Sequence, residues 1–162
     1  MKNYIFIISL ILISCEESKI DFMEVNANDI KNEINKFKGE KSVLVNYWAT
    51  NCSPCIDEFP MIMDLSLKYE DNLKVFFVSN DWLEDKKKAL KFLNSQNVEG
   101  LSFLKNQKDN DFINQTNENW SGALPFTIVF GKQSGNVVDF WEGKASKKRF
   151  IRGINIGINE GE

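Results

Sequence analysis

Apolar residues fall into two kinds of run, which alternate along most of the chain. One kind is short and rich in β-branched and aromatic residues, as is typical of strands. These predicted strands are Ser42–Ala49, Leu73–Ser79, Leu101–Leu104, Phe126–Phe130 and Val137–Trp141. The other kind repeats at helical spacing. These predicted helices are Asn28–Phe37, Ser53–Tyr69, Asp81–Asn97, Asp109–Asn119 and Ser146–Ile158. We expect Asn28 to cap the first helix and Leu83 to face the core from the third.

The order of these elements predicts the fold class. Strands that alternate with helices imply a parallel sheet with helices on both faces, because each crossover places its helix against the sheet. The last two strands are joined across Gly131–Asn136, where Ser134 and Gly135 predict a turn, and they add an antiparallel hairpin. Pro60 lies inside the second helix, where its missing N–H predicts a kink. The chain is therefore predicted to be an α/β protein with a central mixed sheet.

The composition of the chain excludes several classes of function. The chain has 162 residues, enough for one domain, and its 43% hydrophobic and 27% charged residues are typical of a globular protein. The net charge is −3 with both signs interspersed, so no nucleic-acid surface is expected. The sequence contains no histidine. This excludes histidine as a general base, as a zinc ligand and as a haem ligand.

The N-terminal segment has the pattern of a bacterial export signal. A short basic start precedes Tyr4–Ile13, which is apolar apart from Ser9. As a helix this run would be about 15 Å long, half of a bilayer core, so it is too short to span a membrane. The stretch Leu12–Cys15 looks like a lipobox, in which Cys15 is the site of lipid attachment. An uncleaved anchor and a plain secretory signal are the alternatives.

This interpretation sets the expected domain boundaries and location. We expect a lipoprotein signal peptide over residues 1–14, a tether over residues 15–26 and one folded domain over residues 27–162. The domain would then lie outside the cytoplasm, anchored by lipid to a bacterial membrane on its periplasmic or cell-surface side.

The remaining cysteines, Cys52 and Cys55, lie between a predicted strand and a predicted helix. Free N–H groups and the helix dipole at a helix N-terminus stabilise a thiolate, so the pKa of Cys52 is expected to fall from about 8.5 towards 7 or below. Cys52 would be the exposed nucleophile and Cys55, one turn along, the resolving thiol. Two intervening residues bring the Cα atoms within disulfide range. Pro54 fits the first helical turn.

Other uses of the two cysteines are conceivable from the residues alone. A structural disulfide is one, although so short a loop gains little stability. A zinc site would need carboxylate ligands, since no histidine is present. A Cu(I) site could combine the two thiolates with Met61 or Met63, because thiolates and thioethers suit that ion.

The residues around the pair resemble the active site of the TlpA/ResA-like family of thioredoxin-fold thiol–disulfide oxidoreductases. The resemblance rests on Val45-Asn46-Tyr47-Trp48-Ala49-Thr50, Cys52-Ser53-Pro54-Cys55 and Glu58-Phe59-Pro60. The chain departs at Asn51, where tryptophan is common. Leu124-Pro125 resembles the family's cis-proline loop. The resemblance covers about residues 41–158, and the segment near Asp81–Asn119 suits the family's central βα insertion.

The resemblance implies roles for individual residues. Cys52 and Cys55 would form the redox disulfide, and Glu58 would accept a proton, since Asn46 stands where thioredoxin has an acidic residue. An ordinary first-turn acid is the alternative for Glu58, and Asp57 is expected to face solvent. Trp48, Leu124 and Pro125 would contact the substrate.

The implied function is reduction of disulfides in exported proteins, with apocytochrome c as one example. Electrons would come from a membrane thiol carrier, and no cofactor or nucleic acid is expected. Two alternatives remain. A thiol peroxidase of the peroxiredoxin-like class needs Thr and Pro where this chain has Ala49 and Val45. A non-catalytic Cu(I)-binding module would use the same two cysteines.

Overall fold

The structure is a computed structural model that describes residues 20–161. Six strands and five α-helices follow one another along these residues. The strands are β1 Ile20–Val25, β2 Ser42–Trp48, β3 Leu73–Ser79, β4 Gly100–Lys105, β5 Phe126–Phe130 and β6 Val137–Glu142. The helices are α1 Ala27–Asn35, α2 Ser53–Lys68, α3 Lys86–Ser95, α4 Asp109–Thr116 and α5 Lys147–Ile158, with a 3₁₀ turn at Leu83–Asp85. The signal peptide predicted over residues 1–14 and the lipid site at Cys15 lie outside the described residues.

The strands form one mixed sheet in the order β1-β4-β3-β2-β5-β6. The first four of these are parallel, whereas β5 runs antiparallel to both β2 and β6. One core lies between the sheet and helices α2, α3 and α5. A second lies on the opposite face, under α1 and α4. The predicted thioredoxin-like α/β fold, with a mixed sheet covered on both faces, is confirmed.

The prediction of a tether reaching residue 26 is wrong for residues 20–25, which form β1. This strand pairs in parallel with β4 from Ile20 opposite Gly100 to Val25 opposite Lys105. Only Ile20 and Val25 are buried along it. A strand that has one partner strand and only two buried side chains lacks the continuous apolar pattern of the inner strands.

Two predicted helix starts are also corrected. The N-cap of α1 is Asn26 rather than Asn28, and it forms a capping box with Asp29. The Asn26 side chain accepts from the backbone N–H of Asn28 at 2.8 Å. The helix predicted from Asp81 begins only at Lys86, after the 3₁₀ turn, and Leu83 is exposed rather than part of the core.

Helix α2 runs without interruption from Ser53 to Lys68 and contains Pro60. The kink expected at Pro60 stays a prediction. None of the helices within residues 20–161 combines the length and apolar character needed to cross a bilayer.

Candidate active site

The site lies at one edge of the sheet, which we call the carboxyl edge because β1 to β4 all end there. Parallel strands bring their C-terminal ends together, so the segments after β2 and β3 become neighbours. Strand β5 is antiparallel to β2 and therefore starts at this same edge. The loop after β2 carries Cys52, and the residue before β5 is Pro125.

The two cysteines form a disulfide at this edge, as the sequence predicts. The Cys52 and Cys55 sulfurs are 2.00 Å apart and the Cα atoms 5.3 Å apart. Cys52 occupies the N-cap of α2 and is partly exposed, whereas Cys55 is fully buried one turn along. Of the two cysteines, only Cys52 is therefore in contact with solvent. The helix N-terminus favours a thiolate at Cys52 once the bond is reduced.

Glu58 is almost completely buried, with 2% of its surface exposed. Its carboxylate accepts from the Asn46 side-chain amide at 3.2 Å and from the Ala145 N–H at 3.3 Å. Burial raises the pKa of Glu58 from 4.5 to about 7, although these hydrogen bonds and the charge of Lys144 act in the opposite direction. A carboxyl group in this range can exchange a proton near neutral pH. The role of Glu58 as a proton acceptor stays a prediction, whereas the alternative of an ordinary exposed first-turn acid does not fit its burial.

Asn46 and the loop after β6 build the surroundings of Glu58. The Asn46 amide also donates to the Thr127 hydroxyl at 3.0 Å, which connects β2 to β5. Lys144 pairs with Asp57 at 2.8 Å, and both side chains are about half exposed, so the predicted solvent-facing position of Asp57 is confirmed. This exposed pair lies one residue from each partner of the Ala145–Glu58 hydrogen bond.

The Leu124–Pro125 peptide bond is cis, in agreement with the predicted cis-proline loop. The carbonyl of Pro125 accepts from the N–H of Gly143 at 2.8 Å, so this loop is joined to the loop that contacts Glu58. The backbone N–H and C=O of Leu124 have no hydrogen-bond partner within residues 20–161. They are available to an added strand.

The predicted substrate contact through Trp48 is wrong, because this side chain is fully buried. It packs edge-on against Phe59, with ring centroids 5.1 Å apart, in the same core cluster as Cys55. The Trp48 ring therefore belongs to the core and not to the surface that a substrate contacts. Met61 and Met63, the sulfur ligands considered for Cu(I), pack against that cluster too.

Sequence analysis missed Asp81, a buried carboxylate at the end of β3. It accepts from the backbone N–H of Thr50 at 3.0 Å and from the Thr50 hydroxyl at 2.7 Å. The Ser79 hydroxyl also donates to it at 2.7 Å. Asp81 thereby fixes the turn that leads into Cys52. The signal available in the sequence was an acidic residue two positions after a strand that neighbours the cysteine strand.

We expect Asp81→Ala to lower the free energy of unfolding by about 2–3 kcal/mol, because the Thr50 and Ser79 donors lose a charged acceptor. Urea unfolding of the oxidised protein at pH 7 measures this change. Thr50→Val is the matched control: it removes only one hydroxyl donor and is expected to cost about 1 kcal/mol. Equal losses in the two variants would contradict the assignment of Asp81 as the residue that holds this turn.

Comparison with known proteins agrees with this geometry. A family model described as thioredoxin-like matches residues 39–137. The chain is 35% identical over 71 residues to thioredoxin-like protein YneN of Bacillus subtilis, an alignment that covers 44% of this chain and 41% of that protein. The chain thus spans less than half the length of this curated relative.

Solved structures share the fold. A thiol:disulfide interchange protein of the thioredoxin family from Chlorobium tepidum superposes with a TM-score of 0.61 at 22% identity, over 77% of this chain and 84% of that one. An exposed lipoprotein thioredoxin from Streptococcus pneumoniae gives a TM-score of 0.59 at 18% identity, over 75% and 88% of the two chains. At these identities the likeness concerns the fold.

Proposed function

This chain belongs to the thioredoxin-like family, and on that premise we propose that it is a thiol–disulfide oxidoreductase that reduces disulfides in exported proteins. The observation that carries the proposal is the Cys52–Cys55 disulfide at the start of α2, in which Cys52 is partly exposed and Cys55 is fully buried. A purely structural bond has no need of a partly exposed cysteine, whereas an exchange catalyst does.

The reaction begins with the reduced protein. The Cys52 thiolate attacks one sulfur of the substrate disulfide, forms a mixed disulfide and releases the other substrate sulfur as a thiolate, which takes a proton from solvent. The N-terminus of α2 stabilises the Cys52 thiolate and so raises the fraction of the reactive form.

The second step regenerates the protein disulfide. Glu58 takes the proton of the Cys55 thiol, and the resulting thiolate attacks the Cys52 sulfur of the mixed disulfide. The second substrate sulfur leaves as a thiolate, so the substrate gains two electrons and the protein is oxidised. Glu58 lies three residues after Cys55, a spacing that places both side chains on one side of α2. Its pKa of about 7 suits it to accept this proton.

The substrate polypeptide binds beside the cis-proline. Its extended backbone pairs with the N–H and C=O of Leu124, as in the addition of a strand to a sheet edge. Pro125 is buried and shapes this loop, while Leu124 is partly exposed. Backbone pairing places the disulfide with little dependence on the substrate sequence, which suits a protein that acts on several exported thiol proteins.

The proposal includes a location and an electron source. The export signal and the lipobox pattern at Cys15 support a location on the outer side of a bacterial membrane, where cysteine pairs oxidise unless they are reduced. A membrane dithiol carrier would return electrons to the Cys52–Cys55 disulfide. Apocytochrome c is one exported protein whose cysteines must stay reduced.

We expect the purified protein to accelerate the reduction of insulin by dithiothreitol and to show a reduction potential near that of thioredoxin, about −270 mV. The potential is measured by equilibration with glutathione or dithiothreitol buffers. A value near about −120 mV would instead indicate an oxidant. Consumption of peroxide, or stoichiometric binding of Cu(I) without any disulfide reduction, would replace the proposal with one of its two rivals.

A further inference from the structure

An exposed tryptophan lies at the carboxyl edge, on the side of the cysteine loop away from Pro125. Trp82 directly follows Asp81, the residue that holds the turn before Cys52, and 66% of its surface is exposed. No step of the exchange reaction uses it. A single exposed aromatic residue is ordinary on a protein surface, so its meaning depends on how it is held and what it adjoins.

The ring of Trp82 forms a cation–π contact with a lysine of the protein. The ammonium of Lys105, at the end of β4, lies 5.6 Å from the ring centroid. The Lys105 side chain is only 7% exposed, and its charge is paired with Asp109. A buried, paired ammonium at the ring favours one orientation of the indole, because the negative ring face attracts it. The rest of the ring stays available to solvent.

The sheet order puts this ring opposite the proline loop. Strands β3 and β5 lie on either side of β2, and all three contribute to the carboxyl edge. The loop after β2, which carries Cys52, is therefore flanked by Leu124 on the β5 side and by Trp82 on the β3 side. Hydrogen bonds from Thr50 to Asp81 keep the β3 flank attached to the cysteine loop. Asn51, the exposed residue before Cys52, offers no apolar surface of its own.

We propose that Trp82 is a specificity-determining contact for protein substrates, and that its exposed ring receives an apolar side chain of the substrate. That side chain would lie on the side of the substrate disulfide opposite to the segment bound by Leu124. The proposal rests on the proposed function, and it adds a contact that only a polypeptide can make. A small disulfide reaches Cys52 without touching the β3 flank. Aromatic residues are suited to such contacts because they present a large area with little conformational freedom to lose.

The experiment compares two disulfides, insulin and 5,5′-dithiobis(2-nitrobenzoic acid), in the wild type and three variants. We expect Trp82→Ala to lower kcat/KM for insulin about three- to tenfold, mainly through KM, and to leave the small disulfide unchanged. Trp82→Phe is expected to keep most of the insulin activity. Leu67→Ala is the matched control, because Leu67 is also 66% exposed but lies near the end of α2, away from the carboxyl edge.

Two outcomes would overturn the proposal. Unchanged insulin kinetics in Trp82→Ala would show that the ring makes no substrate contact. An equal loss on both disulfides would show that the substitution disturbs the cysteine loop through Asp81 rather than a contact with protein. If the wild type reduces neither disulfide, the proposed function itself fails and this inference fails with it, an outcome distinct from the other two.

Discussion

Replacing Cys52 by serine is expected to lower insulin reduction more than roughly 100-fold, to the rate that dithiothreitol gives alone. A serine hydroxyl is neutral at pH 7 and cannot form a mixed disulfide, so the first step is lost. Cys55 cannot take over, because its sulfur is buried beneath Cys52 in the core cluster with Trp48 and Phe59. Turbidity from precipitating insulin chains measures the rate.

Cys55→Ser is the matched control, since it removes the other sulfur of the same disulfide. This variant keeps the exposed nucleophile but cannot resolve the first product, so it should accumulate a mixed disulfide between Cys52 and the substrate. Mass spectrometry of the protein after one addition of insulin identifies that species. If the mixed disulfide accumulates in Cys52→Ser instead of Cys55→Ser, the roles assigned to the two cysteines are reversed. If Cys52→Ser reduces insulin at the wild-type rate, the proposal of catalysis fails.

The elements that sequence analysis predicts best are those whose pattern is local. Strands β3 and β5 match their predicted bounds, and β2 differs by one residue, because inner strands buried on both faces appear as continuous apolar runs. The cysteine pair follows for the same reason: a strand, two cysteines three residues apart and a helix are all neighbours along the chain. The cis-proline was predicted through the family resemblance, since spacing alone does not distinguish a cis bond.

The features that could not be predicted depend on contacts between distant segments. Strand β1 forms because its backbone pairs with that of β4, which lies 80 residues further along the chain, as the pairing of Ile20 with Gly100 shows. Asp81 acts on Thr50 from 31 residues away. The residues next to Trp48 in the sequence do not show whether its ring faces the substrate or the core. Its contacts with Phe59 and Phe92, which come from α2 and α3, place it in the core.

Glu58 illustrates the same limit with a functional consequence. Its sequence position allowed either an ordinary solvent-exposed acid or a buried proton acceptor. The choice depends on Ala145, 87 residues away, and on Asn46, which together enclose the carboxylate. Burial of this carboxyl group disfavours its ionised form, a cost in stability of the kind that functional sites often carry.

That cost has a definite pH dependence. Because the pKa of Glu58 is raised from 4.5 to about 7, the folded chain keeps this proton between those values while the unfolded chain has lost it. The stability contributed by the protonated form is complete below pH 4.5 and is lost as the pH rises to about 7. Over this window the loss amounts to about 3 kcal/mol, at about 1.4 kcal/mol per pH unit.

Glu58→Gln is therefore expected to stabilise the oxidised protein by up to about 3 kcal/mol at pH 8.5 and to leave it nearly unchanged at pH 4, because glutamine stays neutral at both values. Urea unfolding at the two pH values measures the difference. Asp57→Asn is the control: its carboxylate is half exposed, and its pairing with Lys144 is worth at most about 1 kcal/mol.

The same Glu58→Gln protein should resolve mixed disulfides at least about 100-fold more slowly, since it lacks the base. A gain in stability at pH 8.5 without a loss of rate would mean that Glu58 is buried but takes no part in proton transfer, and lower stability at pH 8.5 would mean that the fold favours the ionised form.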